Sequence, residues 1–158
     1  LLYARRHKRS KGREEAVIHL QLVTLTGMKF DDDVYEVVVP TLDGRIGVMP
    51  GHMPLISAAT NGVISIRRNA KDPDRDMEHF ATHGGVVEVA SDRLRIIVDE
   101  ADTPDEINEA EAQKAYAAAE KLRAEAKDQV SLEHAQALVD RSSVRLQVAG
   151  LKRRHQRN

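Results

Sequence analysis

His52 lies in the stretch GRIGVMPGHMPL, residues 44–55, with Asp43 just upstream. A histidine oriented by an aspartate is half of a nucleophilic hydrolase, with the imidazole as general base. The other half is missing, because that loop offers no serine or cysteine to be activated. Its three glycines and two prolines argue for a stiff loop instead, since glycine admits positive φ and proline holds φ near −65°. The stretch is therefore read as a rigid surface loop that a partner could hold. His52 is then satisfied by turn backbone or by the partner, not used as a catalyst.

Other polar groups have spacings that invite chemistry and fall short of it. His79 and His83 stand four apart, as metal ligands on a helix do, but MEHFATHGG reads as extended and brings no third ligand. Two neutral imidazoles alone make a poor site, and solvated strand positions are expected. Asp31, Asp32 and Asp33 suggest a divalent cation, yet consecutive carboxylates splay apart, and a turn before a strand at Val34 is expected. No metal or cofactor is expected. Arg141 and Arg145 lie one helical turn apart, with Lys152 and Arg153 beyond Gly150; a solvated helix face explains them, and cations near a helix C-terminus also suit its dipole.

Two kinds of element must position these groups. From Val17 to about Ala101 short alternating runs are cut by Gly, Pro, Asn and Asp, the pattern of half-buried antiparallel strands. IHLQLVTL puts Ile18, Leu20 and Leu22 on one face; VYEVVVP supplies Val34, Val37, Val38 and Val39 before Pro40 stops it; GVISI follows the turn signal Asn61-Gly62. RNAKDPDRDME, residues 68–78, is a charged hairpin tip, and GVVEVASDRLRIIV reads as two strands joined at Ser91-Asp92. Turn signals roughly every 8 to 12 residues predict a small β-sandwich or barrel. At Thr103 the period changes. Thr103, Pro104 and Glu106 form a capping box that opens an alanine-rich helix to Lys127, with a stripe of Ile107, Ala110, Ala118, Leu122 and Ala126. After a connection at 128–130, Ser131 caps a second helix with the stripe Ala135, Leu138, Ser142, Leu146 and Ala149, stopped by Gly150. The expected class is α+β: an N-terminal antiparallel β-sandwich, residues 17–101, then a helical hairpin, residues 103–150. Alanine-to-alanine contacts remove little apolar area at roughly 25 cal/mol per Å², so the hairpin should be loosely held.

Charge is unevenly spread along the chain. The net value is −1, but residues 1–16 and 152–158 each carry +4 and the middle −9. An acidic body repels phosphate, which argues against nucleic acid as a partner. Residues 1–16 are read as a disordered or mis-assigned basic leader, with the functional chain starting near Val17, and residues 151–158 as a basic tail. The uncharged stretch from Ile46 to Ile66 is too rich in turn residues for a membrane helix, and the absence of cysteine excludes a disulfide framework.

LDGRIGVMPGHMPLI (42–56), GVISI (62–66), GGVVEV (84–89) and LVDRSSVRLQVA (138–149), in that order and across a β-to-α change, resemble the epsilon subunit of the F-type ATP synthase, called delta in mitochondria. The resemblance covers residues 17 to about 154. It implies a non-catalytic rotor subunit of a proton-translocating synthase, linking the gamma subunit to the c-ring and modulating ATP hydrolysis through its hairpin. It further implies a peripheral position on the cytoplasmic face of a bacterial cell membrane, touching the membrane only through the complex. It makes Asp43, Arg45, Met49, Pro50, Gly51 and His52 a contact loop for the c-ring or gamma, with Pro50, Gly51 and His52 near the ring and a sandwich face docked on gamma; Arg45 stands where relatives often carry an acid. Arg141 and Arg145 would press on acidic residues of a catalytic beta subunit. Some bacterial relatives bind ATP through a motif resembling Ile-Asp-x-x-Arg-Ala. Here Ile107 is followed by Asn108 in place of the acid and Glu111 in place of the arginine, which inverts the electrostatics and predicts weak or absent ATP sensing. The alternatives are a stand-alone nucleotide-sensing module, against which that degraded motif counts, and a hydrolase built on His52 and Asp43.

Overall fold

The computed structural model describes residues 16–155, with side chains up to Leu151. Residues 1–15 of the basic leader and the side chains of the basic tail beyond Leu151 lie outside the described residues. The strands are β1 (Ile18–Thr24), β2 (Gly27–Val34), β3 (Glu36–Thr41), β4 (Gly44–Val48), β5 (Leu55–Ala59), β6 (Gly62–Arg67), β7 (Glu78–His83), β8 (Gly85–Ala90), β9 (Arg93–Ile97) and β10 (Glu100–Asp102). They follow the order β10-β7-β6-β3-β5-β8-β9-β1-β2, with β4 on the other edge of β3. The sheet folds over into a sandwich because one face of each run is apolar. Ile18, Leu20, Leu22, Val37, Val39, Ile64, Ile66, Val87, Leu94 and Ile96 meet in one buried cluster, closed by Phe30 edge-on to Phe80. Pairing is antiparallel except between β1 and β9, which run parallel from His19–Arg93 to Val23–Ile97. The first strand is thus clamped between its hairpin partner and a strand from the far end of the domain.

Two expectations for the strands fail for identifiable reasons. Pro40 does not stop β3 but lies inside it. There β3 passes from β6, which it pairs at residues 36–38, to β5, which it meets at Thr41, so the missing N–H falls where no ladder donor is required. The three aspartates form no turn; they lie within β2. Asp31 and Asp33 flank His19 on one face, and Asp32 reaches Arg68 on the other at 2.8 Å, so cross-strand partners replace the repulsion that would splay them.

The helices are α1 (Glu109–Glu125) and α2 (Gln129–His155). The predicted capping box exists: the Thr103 N–H donates to Glu106 Oε2 at 2.8 Å. It closes a separate turn, however, and α1 starts at Asn108, whose side chain accepts the Glu111 N–H. Likewise Asp128, not Ser131, caps α2, accepting the Ser131 N–H at 2.9 Å. Gly150 does not end α2, because Leu151 beyond it still packs on an apolar cluster of Val63, Ala81, Ile107, Ala112, Val148 and Ala149. The buried line of α1 is Ala112 and Ala119, not Ala110, Ala118 and Leu122. Alanine all round the helix leaves its phase undefined until a partner chooses it. For α2 the predicted Ala135, Ser142 and Ala149 are buried, with Val139 and Val148 added.

Candidate functional site

The turn at residues 49–53 has the rigid geometry its glycine and proline suggested. Gly51 sits at φ +84°, the left-handed region a side chain would resist. The His52 N–H donates to Met49 O at 3.0 Å, and His52 Nδ1 donates to Met53 O at 2.7 Å. His52 is therefore engaged by the turn itself. Met49 and Met53 are exposed beside it. Asp43 and Arg45 are elsewhere: Arg45 is the second residue of β4 and Asp43 precedes the strand, whose ends are about 13 Å apart at 3.3 Å per residue. The expected single loop is two sites at opposite ends of β4, and the His52–Asp43 pairing of the hydrolase reading has no geometry. Among the described residues β4 pairs only with β3, and a partner lying along its open edge would meet both sites.

A second surface spans five strands. Registers align Ala58 with Val86, Val86 with Ile97, Ile97 with Val23 and Val23 with Met28. All five side chains point away from the core, since their strand neighbours Ala59, Val87, Ile96 and Leu22 point in. Val86 is 46% exposed, Ile97 48% and Met28 51%, and the adjacent Ile56 is 75% exposed. An apolar row this continuous on an outer sheet face marks a docking surface. Beside it run two polar rungs, Glu88–Arg95–Gln21–Asp31 and Arg93–His19–Asp33. His19 Nδ1 donates to Asp33 Oδ1 at 2.8 Å and Nε2 to Asp31 Oδ1 at 2.9 Å. The bond to Asp33, aided by Asp31, raises the His19 pKa against the opposing effect of burial.

The hairpin packs on the other layer, α2 against β7 and β6. There the two arginines singled out in the sequence are both engaged. Both oxygens of Glu100 accept from Arg141 Nη2. Arg145 Nε lies 3.3 Å from Asp102 Oδ2, near enough for charge pairing but buried and off any hydrogen-bond line. His79 and His83 face this helix layer with Ala81 and are half-buried, not solvated as expected. Along a strand they stand about 13 Å apart, too far to share an ion, and His79 Nδ1 is bonded to Ser65 Oγ at 3.0 Å. A cavity of about 830 Å³ opens between β3, β6 and the end of α2. Its Arg67 is already held by Glu36 at 2.8 Å and Asp74 at 2.6 Å, so the wall neutralises its own charge. Asn108 and Glu111 meet each other as cap and capped amide, and Ile107 is buried under the hairpin.

Residues 17–104 match the family described as ATP synthase, Delta/Epsilon chain, beta-sandwich domain, and residues 105–150 match ATP synthase, Delta/Epsilon chain, long alpha-helix domain. This chain belongs to the ATP synthase delta/epsilon family. Among its relatives, the ATP synthase epsilon chain of Chloroflexus aggregans is 38% identical over 134 residues, 85% of this chain and 93% of that one. The ATP synthase epsilon chain of Herpetosiphon aurantiacus is 32% identical over 139 residues, 88% and 98%. A chain in the cryo-EM structure of the Euglena gracilis mitochondrial ATP synthase, comprising OSCP, F1 and c-ring, superposes with a TM-score of 0.73 over 91% of this chain and 87% of that one. At 18% identity that likeness concerns the fold alone. Membership in the delta/epsilon family makes this a subunit of the ATP synthase complex. No helix among the described residues is long and apolar enough to cross a membrane.

Sequence reasoning missed the apolar row and the two acids facing the arginines. The signals were present. Val86 and Ile97 are apolar at outward parity within otherwise alternating strands, and Glu100 and Asp102 stand two apart, on one face of a strand.

Proposed function

We propose that this chain is a non-catalytic rotor subunit that joins the gamma subunit to the c-ring and restrains ATP hydrolysis through its hairpin. The observation that carries the reading is the five-strand apolar row on the layer opposite the helices, free for a large partner while the hairpin stays docked. Gamma would cover that row. The c-ring would lie along the open edge of β4, touching Arg45 at one end and Met49, Met53 and His52 at the other. A ring loop meeting Arg45 should carry an acid, since like charges across an interface cost several kcal/mol. Arg141 and Arg145 would reach acidic residues of a catalytic beta subunit once the hairpin lifts, and the subunit would sit on the cytoplasmic face of a bacterial cell membrane as a peripheral part of the complex.

Co-purification tests the reading. The chain should come down with gamma and the ring; if it purifies alone while turning over a small molecule, the proposal fails. Reversing the charge of Arg141 and Arg145 together should relieve inhibition of hydrolysis in the assembled complex, and unchanged activity would remove the beta contact. Nucleotide sensing is disfavoured by Asn108 serving as a helix cap and by Glu111 beside it; calorimetry on the isolated chain giving a micromolar Kd for ATP would restore that alternative.

A further inference from the structure

Arg141 and Arg145 are four residues apart on a helix, about 6 Å along its axis at 1.5 Å per residue. Glu100 and Asp102 are two residues apart on a strand, about 6.6 Å at 3.3 Å per residue. The two repeats match, so one face of α2 lies rung against rung on one face of β10. Beneath the rungs Ala81, Ala112 and Ala149 pack with Val63, Ile107 and Val148, and the half-buried Val144, Leu146 and Leu151 close the edge. No side chain of that cluster is larger than leucine and three are alanine, so the two ion pairs at its border add to a modest apolar contact in deciding whether the helix stays.

We infer that Glu100 and Asp102 are a clasp that holds the hairpin on the sandwich by occupying the two arginines. The inference rests on the reading above in one respect, that Arg141 and Arg145 act on a partner when free. On that reading the carboxylates of β10 stand in for the partner's, and release exchanges one set of ion pairs for another. Such an exchange keeps the arginines paired in both states and moves the unpaired carboxylates from one surface to the other, so the balance is shallow and small changes tip it. The rungs are unequal. Arg141 is gripped by both oxygens of Glu100, whereas Arg145 Nε is buried without an aligned acceptor, a deficit that favours leaving. Glu100 is therefore the stronger half of the clasp and Asp102 the weaker.

The test uses the full chain, which has no cysteine, so Ser91→Cys and Val130→Cys place a fluorophore pair on the sandwich and at the hairpin turn. Glu100→Gln with Asp102→Asn should raise the undocked population about fivefold, the effect of losing two partly exposed pairs. Glu100→Gln alone should account for most of it. In a background carrying Arg141→Gln and Arg145→Gln the same acid changes should do nothing further, because the coupling is pairwise. Raising salt should open the parent chain and leave the acid variant unmoved. An unchanged docked distance in the acid variant, or an equal response in the arginine-free background, overturns the clasp. In the assembled complex the acid variant should be the more strongly inhibited. If it opens without changing inhibition, the clasp stands and the beta-subunit role of the arginines falls.

Discussion

If gamma covers the apolar row as proposed, cutting back two of its side chains should weaken that hold without loosening the fold. Val86 and Ile97 are register partners on β8 and β9, 46% and 48% exposed in the isolated chain. Complete removal of such a side chain from water is worth about 1.5–3 kcal/mol. Since half of each is already shielded, a covering partner would gain about 1 kcal/mol from each. Val86→Ala with Ile97→Ala should therefore cost about 2 kcal/mol of binding, roughly a thirtyfold rise in Kd. Both side chains point outward, so the melting temperature should stay within about 4 °C of the parent. Titration calorimetry of the full chain into gamma reads the affinity. Leu122→Ala is the control, an equally exposed apolar residue at 50% but on α1, away from the row, and it should leave Kd unchanged. An affinity unaltered by the double change, or lowered as much by Leu122→Ala, would refute docking on this face.

Three further outcomes follow from the same geometry. Gly85→Ala should destabilise the sandwich by at least about 3 kcal/mol, visible in urea unfolding, because φ is +132° and a Cβ would lie 2.0 Å from Ile97 O. Asn108→Ala should cost about 1 kcal/mol through loss of the α1 cap, with Asn108→Asp restoring it; equal melting of all three chains would refute the cap. The pKa of His19 is raised above its usual value near 6.5, so its contribution is complete below that value and disappears as pH rises through the higher folded one. Melting temperature should thus fall on going from about pH 6 to pH 8, and His19→Gln should flatten that fall; an unaltered profile would refute it.

Strand alternation was legible because a sandwich has one inside, and inward parity is enough to place Ile18, Leu20, Leu22, Val87 and Leu94. Pro40 misled because its cost depends on whether a neighbouring strand needs its N–H, which only the change from β6 to β5 decides. The aspartates of β2 misled for a related reason: their repulsion is relieved by His19 and Arg68, partners distant in sequence. On α1 alanine is compatible with any orientation, so the docking partner and not the helix determines that Ala112 and Ala119 are buried. The arginines were visible as a pair, but their partners lie on a strand of three residues whose role emerges only when α2 is laid across it. In the loop, Gly51 and His52 were legible as rigid turn chemistry, while the length of β4 that parts them from Asp43 was not.

The parallel seat of β1 against β9 determines where a mechanical load would go. A load on α2 would pass to β7 and β6, on which the helix packs, and through the arginine pairs to β10, a three-residue border strand. The inner strands are loaded along their length, where many bonds must yield together. A pull on the helices would therefore strip them away and let them return while the body they leave keeps its shape.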